Sequence, residues 1–325
     1  MAGGQERLLR RRIKSIQSTQ KITRAMELIA ASRIVKAQAS VVSAQPYSES
    51  ITQVVRDLSA GGGGGDSPLL NPRPEIRRVA HIVVTADRGL CGAYNSSVIR
   101  EAERSLLAQR ALGRDYSLVL VGRKAESYFR YREYNIDAVF TGFSEQPTYE
   151  DARQVGAAAT GAFLAGETDL VEIVYTRFIS AGTQVVERQT LMPLVRDEVA
   201  VTAPGEAATV QPSYEFEPSP EGILDLLLPR YVDSRVYAAL LNAAASEHAA
   251  RQRAMSAATE NADELITSLS RVMNRARQDS ITTEIMEIVS GAEALRQGGS
   301  DESDELSDTL EDRDAEVLAT PVANG

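Results

Sequence analysis

The chain has 325 residues, 43% hydrophobic and 25% charged, with no Trp and aromatics at 5%. These proportions suit a soluble chain built on narrow helix–helix seams rather than one thick core. One cysteine and two histidines exclude an internal disulfide, a cysteine-based zinc site and a histidine-rich metal cluster, and point to a reducing compartment. No run of 18 apolar residues exists to span a membrane, and the basic start lacks the apolar stretch of a secretory signal. The net charge of −10 is segregated: residues 1–36 carry nine Lys/Arg against two Glu, and residues 301–316 carry nine Asp/Glu against one Arg.

Residues 5–45 contain neither Gly nor Pro and read as one helix. Pro46 removes one backbone donor and is expected to kink this helix rather than end it. Leu9, Ile13, Ile16, Gln20, Thr23, Ala30, Ile34, Ala37 and Val41 recur in steps of three and four, the period of a coiled-coil seam. That seam is lean in Leu, and its flanks are small and polar. "GGGGGD" and "SPLLNPRP" follow as a linker, residues 61–76.

Residues 77–196 alternate in type. The strands are "VAHIVVTA", "YSLVLVG" and "IDAVFTG", each followed by a helix, the first of them amphipathic, and then "DLVEIVYTRFI" and "TQVVERQTLMPLV" around a turn at Ala181–Gly182. This order predicts a Rossmann-like open sheet, mostly parallel, with an antiparallel pair at its end. Asn95 or Ser96 is the expected cap of the first of these helices. A connector, 197–220, leads to a second long helix, 221–297. From Pro229 to Gly291 it runs 61 residues without Gly or Pro, roughly 90 Å as a helix. The domain before it spans only about 35 Å. Leu241, Ala245, His248, Gln252, Met255, Thr259, Ala262, Ile266, Leu269, Met273 and Ala276 share one heptad frame, which then shifts to Ile281, Ile285 and Ile288. The two seams predict an antiparallel coiled coil on a globular foot. Gly298–Gly299 is expected to break the helix, leaving 298–325 as a disordered acidic tail.

"TADRGLCGAYN" sits where a phosphate-binding loop follows a first strand. It offers only G-x-x-G at Gly89 and Gly92, and no Walker Lys-Ser/Thr follows, so a tight turn needing positive φ is the better reading. Cys91 lacks partners for nucleophilic catalysis and reads as a packed small residue. The basic group Arg7, Arg10, Arg11, Arg12 and Lys14 has no interleaved aromatics for stacking on nucleic acid. No catalytic, cofactor or metal site emerges. Two alternatives remain beside a helical shaft: a nucleotide-dependent enzyme with a coiled-coil arm, and a coiled-coil adaptor that binds nucleic acid through its basic start.

"IKSIQSTQKITRAMELIAASRIVKAQ", "VTADRGLCGAYN", "RYVDSRVYAALLNAAASEHAARQRAMSAATENADELI" and "NRARQDSITTEIMEIVSGAEAL" resemble the ATP synthase gamma subunit of bacterial type. The resemblance departs at Gly61–Gly65 and beyond Leu295. It implies a central rotor shaft with no catalytic site or bound cofactor of its own. It also implies a peripheral place on the cytoplasmic side of the cell membrane. The implied partners are an alpha3–beta3 catalytic ring, the epsilon subunit and the proton-driven c-ring. By the same resemblance, Met26, Arg33, Arg277, Gln278, Thr282, Ile285 and Ile288 contact the catalytic ring. Arg230, Tyr231 and Asp233 belong to the foot on epsilon and the c-ring.

Overall fold

In the computed structural model, residues 2–60, 67–194 and 219–317 are described. The linker Gly61–Asp66 and nearly all of the 197–220 connector lie outside them. The chain forms two compact units, one of residues Ile22–Thr259 and one of Met1–Lys21 with Glu260–Gly325. Two helices run through both: α1, Ala2–Ala60, and α5, Pro220–Val317.

The larger unit holds an α/β domain. Its strands are β1, Arg78–Val84; β2, Asp115–Val121; β3, Ala138–Phe140; β4, Leu170–Phe178; and β5, Gln184–Met192. Between them run α2, Tyr94–Ala111; α3, Arg123–Tyr131; and α4, Tyr149–Leu164. The sheet order is β3-β2-β1-β4-β5. The first three pairings are parallel and β4–β5 is antiparallel, as the βαβ order predicts. The central strand β1 is buried on both faces, which is why "VAHIVV" reads as a near-continuous apolar run rather than an alternation.

The period of two still sorts its side chains. Ala80, Ile82 and Val84 face a core shared with Ile51, Val55 and Leu58 of α1, with α4, and with Leu224 to Ala243 of α5. Val83 faces a second core against Val98 and Leu106 of α2 and Phe129 of α3. The bases of both long helices are therefore part of the domain's own core. Neither Pro46 nor Pro229 ends its helix. In this unit Ala30 and Ile34 of α1 and Leu241, Ala245 and Met255 of α5 are buried along the expected seams. The Thr23 and Thr259 hydroxyls meet at 2.8 Å.

In the smaller unit Leu9, Ile13 and Ala262 are buried, and the Gln20 side-chain amide donates to Asp263 at 2.5 Å. The pairing is antiparallel, so partners have numbers that sum to about 283. The first residues of α1 thus fall opposite residue 281 or so, and later residues of α5 have no α1 residue to face.

Two local expectations are corrected. First, α2 is not capped by Asn95 or Ser96. Its N-cap is Ala93, with no side-chain cap bond. Asn95 instead accepts from the Ala86 N–H at 2.9 Å and donates to Cys91 Sγ at 3.1 Å, tying the end of β1 to the helix. Second, α5 does not end at Gly298–Gly299 but is helical to Val317. A helical glycine costs only about 1 kcal/mol against alanine, so two in succession weaken a helix without forbidding it.

Candidate functional site

In an open α/β sheet, ligands occupy the crevice at the carboxyl ends of the strands where strand order reverses. Here β2 and β3 lie on one side of β1 and β4 on the other, so the crevice opens at the ends of β1 and β4. Helix α5 fills it. Ser246 donates to the Thr176 carbonyl at 3.1 Å, and Asn242 accepts from the Phe178 N–H at 3.3 Å. Ala250 packs against Ala86, Cys91 and Tyr94. Ala254 lies 3.8 Å from the position a Cβ on Gly92 would take.

The turn "RGLCG" is thus a seat for a helix. Its left-handed residues are Leu90 at φ 62° and Gly92 at φ 57°, so of the two glycines only Gly92 meets the expected need for positive φ. Burial and the Glu247 charge hold the Cys91 thiol above its ordinary pKa, which keeps it protonated and unreactive.

Beside this seat lies a buried ionic group that sequence reasoning missed. Glu247 and Arg251, one turn apart on α5, pair at 2.6 Å, with side chains 1% and 7% exposed. Burial pushes the Glu247 carboxyl up, against the pull of Arg251. Arg251 also lies 3.5 Å from Glu145, on the loop after β3. The His248 ring, whose pKa burial lowers, meets the Glu145 carbonyl at 3.1 Å. A charged pair at i and i+4 inside the alanine run "AAASEHAAR" is the signal that could have revealed it. The heptad frame drew attention to His248 alone.

The expected contact residues divide by burial. Arg277, Gln278 and Thr282 are exposed, and Ile285 and Ile288 are 55% and 71% exposed. With Ile281 and Leu295 they form a stripe at steps of four, three and seven, the next turns of a coiled-coil seam, in the part of α5 that α1 does not reach. Met26 is half-buried. Arg33 turns to the α/β domain and pairs with Glu145, so its guanidinium is taken within the chain. Arg230 is exposed, and Asp233 is half-buried beside it on a groove of about 560 Å³ lined also by Tyr47, Tyr149, Arg153 and Tyr237. Tyr231 corrects the expectation: at 4% exposure it belongs to the core between α5 and the sheet, and offers no surface to a partner. Among the described residues, no group of three or more His, Cys, Asp or Glu is placed to hold a metal ion.

In the larger unit the bases of α1 and α5 are thus built into the core of the α/β domain, and α5 closes the crevice at its strand ends. Comparison with known proteins gives the chain's kind. The ATP synthase family description matches residues 5–295. The ATP synthase gamma chain of Frankia casuarinae is 50% identical over 299 residues, covering 91% of this chain and 99% of the relative. That of Kineococcus radiotolerans is 49% identical over 301 residues, with the same coverage. Among solved structures, the rotor of the Euglena gracilis mitochondrial ATP synthase shares the fold at a TM-score of 0.61 and 17% identity, over 86% of this chain and 99% of that one. The central stalk and c-ring structure of the Tetrahymena thermophila enzyme gives 0.55 and 25%, over 73% and 99%. The chain belongs to the ATP synthase gamma family and is the central shaft of the rotary motor. Among the described residues no helix is long and apolar enough to cross a membrane.

Proposed function

We propose that this chain carries torque between a proton-driven c-ring and the nucleotide sites of a surrounding alpha3–beta3 ring, without a catalytic site or cofactor of its own. In this reading the α/β foot, with epsilon, stands on the c-ring at the cytoplasmic face of the membrane. The end of α5 turns inside the catalytic ring. The observation that carries the reading is the stripe Ile281, Ile285, Ile288 and Leu295. Each of these side chains is about half exposed or more, in a stretch that α1 does not cover. An apolar seam left uncovered by its own chain fits burial in a partner. Arg277, Gln278 and Thr282 stand just before it and give the ring polar groups to catch on.

The lean seam of α1 fits the same role. Re-exposing buried apolar surface costs about 25 cal/mol per Å². Deep contacts between shaft and ring would therefore trap one angle, whereas small and polar side chains keep the minima shallow. The experiment is purification of the membrane complex carrying Ile285→Asp with Ile288→Asp. The expected result is loss of the catalytic ring, with foot partners retained. A complex that keeps its ring and full turnover would remove the reading. An ATP site of micromolar affinity on the purified chain would overturn the non-catalytic part.

A further inference from the structure

The core between sheet and helices fixes the base of the shaft, but a beam held only at its base bends under load where it leaves the support. Arg33 and Arg251 lie about 15 Å and 12 Å along their helices from the Thr23–Thr259 contact, near the end of the helix pair in this unit. One carboxylate reaches both. Glu145 pairs with Arg33 of α1, lies 3.5 Å from Arg251 of α5 and, through its carbonyl, meets the His248 ring at 3.1 Å.

Its loop is itself pinned to the sheet. The Asp87 carboxylate, just past β1, accepts from the Gly142 and Ser144 N–H groups at 2.8 and 3.1 Å, and the Ser144 hydroxyl accepts from the Asp87 N–H at 2.9 Å. A force on Glu145 therefore passes into β1 rather than into a slack loop. The Glu145 side chain is 22% exposed and that of Arg251 7%, so water and salt screen this contact less than they would a surface pair.

We propose that Glu145 is a torque clamp, a positioning residue through which the α/β domain grips both shaft helices at once so that foot and shaft turn together. The proposal rests on the rotor reading above. With the carboxylate gone, the core still fixes the helix bases, but above it α1 and α5 can bend against the domain at Arg33 and Arg251 before torque is passed on. Rotation driven by ATP then slips against the proton load while unloaded hydrolysis continues.

The test uses the assembled membrane enzyme with Glu145→Gln, Glu145→Lys and Arg88→Gln. Arg88 also approaches Glu145, at 3.7 Å, but its side chain is 73% exposed. Glu145→Gln is expected to assemble in wild-type amount and to hydrolyse ATP at the wild-type rate, while losing most of its proton pumping per ATP. Glu145→Lys sets an ammonium against two arginines and is expected to lose more, and Arg88→Gln to lose none. A merely structural role would lower assembly, hydrolysis and pumping together. Pumping that is intact in both Glu145 variants, or failure of Glu145→Gln to assemble, overturns the clamp. Wild-type complexes that hydrolyse ATP without pumping would overturn the rotor reading beneath it.

Discussion

The buried Glu247–Arg251 pair makes α5 vulnerable to a single substitution. Removing Arg251 by alanine leaves a carboxylate that is 1% exposed, with one oxygen unbonded, against Cys91 and Tyr94. Breaking a buried pair from one side costs about 3–5 kcal/mol, because the remaining charge is uncompensated, whereas replacing both members by apolar or neutral groups of similar volume is nearly neutral. Arg251→Ala is therefore expected to lower unfolding free energy by about 3–5 kcal/mol at pH 7, and the double variant Glu247→Gln with Arg251→Met by about 1 kcal/mol or less. Much of the single-variant loss is conditional on pH. Burial already raises the Glu247 carboxyl above its unfolded value, and without Arg251 it rises further. A carboxyl raised on folding supports stability below its unfolded pKa and loses that support as pH rises through the folded one. The single variant should thus recover stability on acidification toward pH 5, relative to the double. Urea unfolding followed by circular dichroism, with unchanged m, reads both effects. A single-variant loss below about 1 kcal/mol, or a double variant as damaged as the single, would refute the argument.

Other outcomes follow from other parts of the chain. His81 is fully enclosed, and burial and Arg188 hold its pKa at about 4, with Glu172 3.4 Å away also facing Arg188 and the Ser105 hydroxyl. A histidine lowered on folding supports stability above its unfolded pKa of 6.5 and loses it as pH falls toward 4, so acidification should cost about 3 kcal/mol that His81→Gln does not lose. Gly122 has φ 91°, and a Cβ there would overlap the Thr85 backbone oxygen. Gly122→Ala should therefore cost about 3 kcal/mol or more in thermal unfolding. Met26→Lys should leave assembly intact but lower pumping per ATP, and normal coupling would place Met26 away from the ring. Truncation after Gln297 should keep assembly and turnover, whereas truncation after Ser280, which also removes the apolar stripe, should lose both.

Much of the fold was legible because its signals are periodic. The β-branched runs gave the strands their places, and the three-and-four steps of Leu9, Ile13, Ala30 and Ile34 marked the side of α1 that is buried. Tyr231 was not legible in the same way. It belongs to "RYVDSRV", where exposed Arg230 and half-buried Asp233 flank it, and only the three-dimensional packing of α5 on the sheet decides which of the three turns inward. The Arg33–Glu145 pair was not legible for a related reason: the two residues lie 112 apart, and Glu145 is on a loop with no pattern of its own. The run past Gly298–Gly299 was read by composition, which measures what a segment can bury and not whether its backbone can stay helical.

The crevice of the α/β domain is filled by the chain's own helix. Strand order still places a reversal at β1 and β4, and the chain still makes a turn there with two residues at positive φ. A phosphate site at such a turn needs free backbone N–H groups and an open path. In this chain that path is occupied by Ser246, Ala250 and Ala254 of α5. Small residues at those three positions let α5 lie directly on the turn. Backbone and short side chains make a contact with few rotatable bonds, so it deforms little under load. The "TADRGLCGAYN" segment thus keeps the outline of a binding loop while seating α5 on the α/β domain.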